Sequence, residues 1–419
     1  MNERRRQLRN RLRRLGKQPR NRASIPRPAP TAPPSTLEEH LGGWVRHTER
    51  GSYFLVEHCL PLEHQHGPYP LARILQAPRD PLRELLTPAP EDPPAPTRFL
   101  FLDTETTGLA RGAGTYVFLV GVGRIDGDRF CVRQYFLRDL DEEPAMLADL
   151  VQHLNALAGV VTFNGRTFDL PLLATRLVLN RISFPLDSLP HLDLLPITRR
   201  LWRARLGQCS LNHVERHLLG HRRDQNDIPG WLVPILYRDY LRTRDPALLE
   251  GIFYHNLHDI LSMVSLADVI LRVWHDPWAE PLMQPEDFIS WARWLLRSAR
   301  VGEAEAALRH ALRHLSPGSA REQAFDMLTR LLKRQRRWAE ARRLWEQWVE
   351  ESPTGSLTPY EELAKYYEWV EHDPQQALAW VRRAWHVWEQ LDRGGQLQWE
   401  GALRHREQRL QGKIQRRSP

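Results

Sequence analysis

The sequence contains little cysteine and no long hydrophobic run. Among its 419 residues there are three cysteines, Cys59, Cys131 and Cys209, and they lie far apart. This number and spacing exclude a disulfide framework and a cysteine-rich zinc site, and they are typical of a reducing cytoplasm. The longest apolar run, residues 115–122, is too short to cross a bilayer, and no apolar segment of a signal peptide follows the basic N-terminus. We therefore expect a cytoplasmic protein that makes no membrane contact.

Basic residues, by contrast, are concentrated at both ends of the chain. Residues 1–22 contain nine Arg and one Lys against one Glu, and residues 401–419 contain six Lys or Arg against one Glu. Since the whole chain has a net charge of +8, the part between these ends is mildly acidic. Basic ends of this kind bind nucleic acid or another polyanion, and the alternative explanation is that they only improve solubility.

Composition divides the chain into five predicted segments. Sixteen of the 32 prolines lie in the first 100 residues, whereas ten of the 15 tryptophans lie beyond residue 290. The predicted segments are a basic, proline-rich, disordered arm (1–36), a small N-terminal unit with a linker (37–97), an α/β domain (98–278), an all-α helical-repeat domain (279–400) and a basic tail (401–419).

The α/β domain is predicted from closely spaced strands followed by alternating helices and strands. Three consecutive antiparallel strands are expected over residues 98–103, 115–125 and 129–137. Asp126-Gly127, between the last two, is a hairpin turn signal. A helix, a short buried strand and a second helix are expected over residues 143–157, 160–163 and 168–179. This order predicts a mixed α/β sheet.

The all-helical domain contains three similar segments, at residues 302–312, 338–349 and 374–387. Aligning Ala306, Ala341 and Ala377 gives spacings of 35 and 36 residues. Helix pairs of the tetratricopeptide type repeat at about 34 residues, and small residues at fixed positions let paired helices approach closely. We therefore predict tetratricopeptide-like repeats, with an irregular helical bundle as the alternative.

Four acidic residues form the strongest functional signal. Asp103 and Glu105 are two residues apart at the end of a strand, so both carboxylates point to one face. Asp169 begins a helix just after a buried strand, and Asp259 lies in a helical segment. Because four converging carboxylates repel one another unless cations neutralise them, the set predicts a site for Mg²⁺ or Mn²⁺. Taken singly, each acid has a simpler explanation as a solvated strand end, a helix N-terminal acid or a surface ion pair.

Two residues that precede Asp259 are candidates for a general base. His255 lies four residues before Asp259 and shares its helix face, whereas Tyr254 points elsewhere. An imidazole with an ordinary pKa of about 6.5 is a better base at neutral pH than a phenol with a pKa of about 10. His255 is therefore the predicted base, with Tyr254 as the alternative.

These motifs resemble those of the DEDD exonuclease superfamily, which has the ribonuclease-H-like fold, and more closely those of the YprB-type family. The matching stretches lie within residues 98–274 and are FLDTETTGL, GAGTYVFLVGVG, TFNGRTFDLPLL, HLDLL, DIPGW and YHNLHDILSM. The superfamily has a His five residues or a Tyr four residues before its last Asp, whereas here Tyr254 and His255 exchange these positions.

The resemblance implies a ribonuclease-H-like mixed sheet and a 3′-to-5′ exonuclease activity on DNA or RNA in a bacterial cytoplasmic protein. It also implies two Mg²⁺ or Mn²⁺ ions, held by the four acids Asp103, Glu105, Asp169 and Asp259. The helical tail resembles tetratricopeptide appendages of some members, which would recruit a protein partner.

Other residues are predicted to contact the nucleic acid or to support the site. The predicted nucleic-acid contacts are Thr106, Gly108, Asn164, Arg199 and Arg203. Trp202 would either stack on a base or lie in the core, and Asp193 would either support the metal site or cap a helix. His64 and His66 in EHQHG lack a convincing metal-binding spacing, so we expect surface histidines there.

Two other functions fit the sequence. In the first, the nuclease fold is a catalytically silent nucleic-acid-binding adaptor that recruits a protein through the helical repeats. In the second, the protein is a metal-dependent hydrolase of small phosphodiesters or nucleotides. The presence of all four acids argues against the adaptor, because a groove that only binds phosphates would gain from losing them.

Overall fold

The computed structural model describes residues 36–108, 114–154, 158–352 and 356–416 and contains a mixed sheet of seven strands. The predicted basic arm lies outside these residues except for Thr36. The strands are β1 (Trp44–Thr48), β2 (Gly51–Pro61), β5 (Phe99–Thr106), β6 (Val117–Asp126), β7 (Arg129–Phe136), β8 (Gly159–Thr162) and β9 (His191–Asp193), and a separate hairpin contains β3 (Gln65–His66) and β4 (Tyr69–Pro70). The spatial order is β1-β2-β7-β6-β5-β8-β9.

The middle of the sheet confirms the strand prediction. β5, β6 and β7 form an antiparallel meander. β8 pairs in parallel with β5, and β9 pairs in parallel with β8. β1 and β2 come from the predicted N-terminal unit; β1 pairs with β2, and β2 pairs with β7. That part of the chain therefore belongs to the same sheet as the predicted α/β domain.

The expectation that the cysteines form no disulfide is wrong. Cys59 and Cys131 face each other across β2 and β7 and are joined by a disulfide, while Cys209 is free and buried. The sequence did not show that β2 and β7, which are separated by four other strands in the chain, are neighbours in the sheet. The argument from cysteine usage for a reducing compartment therefore loses its basis.

Helices cover the sheet and make up the C-terminal part of the described chain. Up to residue 275 they are α1 (Leu37–Leu41), α2 (Leu82–Leu85), α3 (Glu143–Leu154), α4 (Asp169–Leu179), α5 (Leu194–Leu206), α6 (Leu211–His217), α7 (Val233–Thr243) and α8 (Glu250–His275). Those that follow are α9 (Asp287–Arg297), α10 (Val301–His314), α11 (Ser319–Arg334), α12 (Trp338–Glu351), α13 (Thr358–Trp369), α14 (Pro374–Trp388) and α15 (Arg393–Gln415). Within the described residues, no helix is long and apolar enough to cross a membrane.

Helix α8 is the element that brings distant parts of the chain to one site. It packs against β5, β6 and β7, and most of its second half is buried. The close approach depends on Gly121 in β6, where an added Cβ would lie 2.1 Å from Oδ1 of Asn256. Any larger residue at this position would push α8 away from the sheet face that carries the end of β5.

The all-helical C-terminal region is confirmed, with one change in its internal alignment. Each of α9 to α14 packs against the helix that follows it in the chain. Ala341 and Ala377 are fully buried, as expected for small residues between paired helices, but Ala306 is exposed and Ala304 is buried in its place. Because α10 begins at Val301 and α12 at Trp338, Ala304 and Ala341 are the fourth residues of their helices. The alignment through Ala306 is therefore wrong by two residues.

Candidate metal and nucleic-acid site

The end of β5 presents two carboxyls to the helix-covered face of the sheet. Asp103 and Glu105 alternate with the buried Thr104, so they share one face as predicted. Nδ2 of Asn256 on α8 donates a hydrogen bond of 2.8 Å to Asp103, and Gln134 fixes that amide by donating to its Oδ1 at 2.9 Å. A register shift between Glu105 and Thr106 ends the regular pairing at this point.

Asp169 reaches the same region from the other side of β5. It is the first residue of α4, and the hydroxyl of Thr104 donates a hydrogen bond to its carboxylate. Burial, the largest cause, and the charges of Asp193 and Asp259 raise the pKa of Asp169, the hydrogen bond from Thr104 opposes them, and the resulting pKa is about 6. Asp169 is therefore close enough to Asp259 to be affected by its charge.

Asp259 projects from α8 and is bound by Arg223. This arginine is almost fully inaccessible and also makes ion pairs with Glu215 and Asp227. Although burial alone would lower the pKa of Arg223, the charges of Asp259 and Glu215 raise it, so the side chain stays protonated. Arg223 thus places a positive charge next to the carboxylate of Asp259.

The predicted base, His255, lies between Asp227 and Asp259. Its Nδ1 is 2.7 Å from Oδ1 of Asp227, and its Nε2 is 3.7 Å from Oδ2 of Asp259. Burial lowers the pKa of His255, but the charge of Asp259, the hydrogen bond to Asp227 and the charge of Glu105 outweigh it and raise the pKa to about 9. Tyr254 faces elsewhere, because its ring stacks on His258 and its hydroxyl accepts a hydrogen bond from the backbone N–H of Asp224.

The four predicted acids, which we call the acidic site, act on one another electrostatically. Burial raises the pKa of Asp103 well above its usual value, and the charges of Asp259, Glu105 and Asp169 raise it further. Burial is also the largest cause for Glu105; the charge of His255 opposes the rise, those of Asp259 and Asp169 add to it, and the resulting pKa is about 8. Carboxylate oxygens are the ligands that Mg²⁺ and Mn²⁺ prefer, so this excess of buried negative charge fits such ions.

The acidic site is not tightly gathered, however. In the ranges that the structure describes, a single group of three or more His, Cys, Asp or Glu residues has ligand atoms all within 4.8 Å of one another, and it contains His66, His221 and His258. Mutual repulsion between carboxylates and the pairing of Asp259 with Arg223 give a physical reason for the wider spacing of the acids.

The predicted nucleic-acid contacts have varied surroundings. The hydroxyl of Thr106 donates to the carbonyl oxygen of Gly108 at 2.9 Å and so shapes the loop after β5. Asn164 has a left-handed φ of 75°, and its side-chain oxygen accepts a hydrogen bond from Thr167. Arg199 and Arg203 are exposed on α5.

Two of the open alternatives are decided by burial and hydrogen bonding. Trp202 has 0% exposure, so it belongs to the core and the stacking role is wrong. Asp193 caps α5 by accepting from the backbone N–H of Leu195, and it also accepts from the backbone N–H groups of Asn164 and Arg166. It therefore fixes the loop that precedes Asp169.

Sequence reasoning missed the polar residues that hold the site from outside. Arg223, Asp227 and Asn256 bind one of the acids or His255, and Glu215 binds Arg223. None was singled out, because the groups that they hold in place are distant in sequence. The stretch DIPGW, which contains Asp227, was the one available signal. Gly230 in this stretch also lies beside His255, since a Cβ added there would be 3.9 Å from Nε2.

This region matches a known protein family, and the chain is similar to two known proteins. Residues 100–271 match the RNase_H superfamily. The chain is 32% identical over 349 residues to the uncharacterized protein YprB of Bacillus subtilis (strain 168), covering 78% of this chain and 80% of that protein. A structure of the family B DNA polymerase from the hyperthermophilic archaeon Pyrobaculum calidifontis aligns with a TM-score of 0.35 and 16% identity over 64% of this chain, which spans 35% of the polymerase chain.

Proposed function

Because the chain belongs to the family of Bacillus subtilis YprB and contains an RNase_H superfamily domain, we propose that it is a metal-dependent nuclease that removes nucleotides from the 3′ end of DNA or RNA. The observation that carries the proposal is the mutual effect of four carboxyls from three distant parts of the chain. Their charges raise the pKa values of Asp103, Glu105 and Asp169. A buried anionic group of this kind is suited to cations that also bind phosphate.

In this proposal Asp103, Glu105, Asp169 and Asp259 hold Mg²⁺ or Mn²⁺. When bound, the ions lower the pKa of water and stabilise negative charge that develops on the phosphodiester. Asn256 and Thr104 orient two of the carboxylates by hydrogen bonds, and Arg223 holds Asp259. These partners keep the oxygens in place before substrate arrives, which lowers the reorganisation that the reaction requires.

His255 is the proposed acceptor of the proton from the attacking water. Its Nδ1 is nearest the carboxylate of Asp227, which when ionised can accept a hydrogen bond but cannot donate one. The proton of a neutral imidazole therefore lies on Nδ1, and the lone pair lies on Nε2, the nitrogen nearest Asp259. The 3.2 Å approach of Arg223 Nη1 to Nδ1 is then a contact between two donors, and the shorter contact with Asp227 decides the tautomer.

Trp231 is a candidate for stacking on a substrate base. It follows Gly230, the residue beside Nε2 of His255, and 69% of its surface is exposed. Base stacking on an aromatic ring is sequence-tolerant and contributes about 1–3 kcal/mol per base. The exposed Arg199 and Arg203 and the basic arm would add binding that weakens as salt increases.

A direct test uses the purified full-length protein, Mn²⁺ and a single-stranded oligonucleotide labelled at its 5′ end. We expect a ladder of shortened, labelled products, which shows removal from the 3′ end. Asp103→Asn should reduce product formation by about a thousandfold while retaining the fold, because a metal ligand contributes several kcal/mol to the transition state. Asp126→Asn is the matched control, since Asp126 is an exposed acid at the far end of β6 and pairs with Arg124.

Two results would overturn the proposal. Binding of the oligonucleotide without cleavage, unchanged in Asp103→Asn, would support the silent adaptor. Turnover of a dinucleotide that long DNA and RNA do not inhibit would support the small-phosphodiester hydrolase. A 3′-labelled oligonucleotide run in parallel separates 3′ removal, which releases labelled mononucleotide first, from internal cutting.

A further inference from the structure

Three histidines from separate parts of the chain meet beside the acidic site, and we call them the histidine cluster. His66 lies in β3, His221 follows α6, and His258 lies on α8 next to Asp259. One ring nitrogen of each lies within 4.8 Å of the others. The ring centroids of His66 and His221 are 3.8 Å apart, and those of His221 and His258 are 5.6 Å apart. The expectation that His66 is a surface residue is wrong, because it is 1% exposed.

The hydrogen bonds of His66 identify its free lone pair. Its Nε2 lies 2.6 Å from the hydroxyl of Ser262, and that hydroxyl donates its proton to Glu215 over 2.5 Å. Because a hydroxyl has a single proton, Ser262 must accept from an Nε2–H of His66. The lone pair of the neutral ring is then on Nδ1. A histidine that binds a metal commonly donates its other ring N–H to an oxygen in this way.

The other two rings have buried nitrogens without partners. Within the described chain, neither Nε2 of His221 nor Nδ1 of His258 has a hydrogen-bond partner. Buried polar atoms are almost always bonded, so two orphaned atoms in adjacent rings require an explanation. A metal ion would give both lone pairs a partner at once.

Neutral imidazole is the form that binds a metal, and burial disfavours the charged form of all three rings. Burial, followed by the charges of His221, His258 and Arg223, lowers the pKa of His66 to about 2. Burial and the charge of Arg223 also lower the pKa values of His221 and His258, the latter to about 4. The charge of Arg223 is itself balanced by Glu215, Asp227 and Asp259.

Gly67 allows the segments that carry two of the histidines to approach closely. Gly67, directly after His66, has a φ of +64°, and a Cβ there would lie 2.7 Å from the carbonyl oxygen of Leu219. The β3–β4 hairpin can therefore rest directly on the segment that leads to His221. This contact fixes two of the three rings relative to each other.

We propose that His66, His221 and His258 form a binding site for Zn²⁺ or a similar late first-row divalent ion, separate from the acidic site. Tetrahedral zinc with Zn–N bonds of about 2.0–2.1 Å needs ligand nitrogens about 3.3 Å apart, so each pair has to close by at most about 1.5 Å. Imidazole nitrogens favour such ions, whereas Mg²⁺ favours oxygen. Three protein ligands leave a fourth position for water.

The histidine cluster is connected to the acidic site by a chain of polar contacts. His66 bonds Ser262, Ser262 bonds Glu215, and Glu215 pairs with Arg223, which holds Asp259. An ion bound by the three histidines therefore restricts the positions of Glu215 and Arg223 through Ser262. In this arrangement the three histidines act as positioning residues for Asp259 and do not touch substrate.

The test uses Co²⁺ as a spectroscopic probe on the full-length protein after treatment with a chelator. Excess Mg²⁺ is present throughout to compete for the carboxylates. We expect one equivalent of Co²⁺ to produce the visible absorption of a low-coordinate site, and Zn²⁺ to displace it. His221→Gln should abolish the absorption, whereas His217→Gln, an exposed histidine in the nearby α6, should leave it unchanged.

Two further variants separate this proposal from the proposed nuclease. Asp103→Asn should keep the cobalt absorption whether or not the protein is a nuclease, because Asp103 is not in the cluster. Ser262→Ala should weaken Co²⁺ binding by about 10–100-fold, the usual effect of removing a hydrogen bond behind a metal ligand. If circular dichroism shows that His221→Gln is unfolded, His258→Gln is used in its place. Absence of saturable absorption in the wild type, or equal absorption in the histidine variant, overturns the proposal.

Discussion

Buried carboxylates occur in both halves of the described chain, but their charge is balanced in different ways. In the helical region, Glu368 on α13 has a side chain with 0% exposure. Arg406, Arg409 and Lys413 from α15 surround it, with Lys413 at 2.7 Å. Burial raises the pKa of Glu368, but the hydrogen bonds and charges of Lys413 and Arg409 outweigh it and lower the pKa below its usual value. The chain itself supplies every charge that this acid needs.

The acidic site has the opposite balance. Arg223 binds Asp259, but the pKa values of Asp103 and Glu105 are raised by burial and by the other acids. The same chemical group is thus neutralised from within at Glu368 and left with excess negative charge at the end of β5. Cationic side chains of the chain neutralise Glu368 completely. Buried carboxylates that lack such partners, as in the acidic site, are expected where a bound metal ion supplies the positive charge.

The largest expected difference between the acidic site and the surroundings of Glu368 is in catalytic activity. Glu105→Gln keeps the shape of the side chain but removes one negative charge from the acidic site. We expect phosphodiester hydrolysis to fall by about a thousandfold, or about 4 kcal/mol of transition-state stabilisation. Single-turnover cleavage of a labelled oligonucleotide measures it. Activity within a factor of two of the wild type would remove Glu105 from the site.

The second effect is a fall in the stability of the metal-free protein as pH rises. Glu105 has a folded pKa of about 8 against 4.5 in the unfolded chain, so the folded state binds more protons between these values and loses stability as pH rises through them. His255, with its pKa raised to about 9 from 6.5, stabilises the fold below pH 6.5 and loses this contribution as pH rises through 9. We expect a loss on the order of 3 kcal/mol in the free energy of unfolding between about pH 5 and pH 9.

Urea unfolding at several pH values measures this slope. Saturating Mg²⁺ should flatten it, because the ion binds the ionised carboxylates and stabilises the protein most at high pH. Glu105→Gln should also reduce the slope without Mg²⁺. A slope that neither Mg²⁺ nor this variant changes would mean that the acidic site does not produce it.

The third effect concerns the balanced region. Glu368→Gln leaves Arg409 and Lys413, which are about one-third exposed, without their anion, and it should lower the free energy of unfolding by about 2 kcal/mol. Activity per folded molecule should not change. Chemical unfolding in parallel with the oligonucleotide assay checks both statements. If Mg²⁺ restored the free energy of unfolding of Glu368→Gln specifically, the difference in charge balance between Glu368 and the acidic site would be contradicted.

Much of this contrast could be predicted from sequence where the signal is local. The strands β5 to β7 follow from alternation and a hairpin turn, and the shared face of Asp103 and Glu105 follows from strand geometry. The helical C-terminal region follows from periodicity. The alignment through Ala306 was wrong by two residues because the alanines at positions 304, 306 and 307 all lie 34 to 37 residues before Ala341.

What could not be predicted depends on pairings between distant segments. Cys59 and Cys131 are neighbours because β2 joins β7, and no local pattern specifies that pairing. Arg223 is one of many arginines in the sequence, and its role comes from partners on α6 and α8. His66 looked like a surface residue because the hairpin that carries it is short and polar, yet His221 and α8 cover it.

The smallest effect would sharpen the role of His255. Asp227→Asn keeps an oxygen that accepts a hydrogen bond from Nδ1 but removes the negative charge 2.7 Å away. Loss of that charge should lower the pKa of His255, because the charge and hydrogen bond of Asp227 favour the imidazolium. A base must be neutral to accept a proton, so the acidic limb of the profile of kcat/KM against pH should move to lower pH by about one unit.

The matched control is Asp224→Asn, because Asp224 is an exposed acid in the same loop and bonds the backbone and side-chain nitrogens of Asn226. It should leave the acidic limb where it is. An unshifted limb in Asp227→Asn, with normal metal binding, would exclude His255 as the base. The charge of Asp224 raises the pKa of Tyr254 more than that of Asp227 does, so a Tyr254 base would also shift the limb in Asp224→Asn. A shift confined to Asp227→Asn would therefore exclude Tyr254. The pH profile therefore decides between the two residues without removing either.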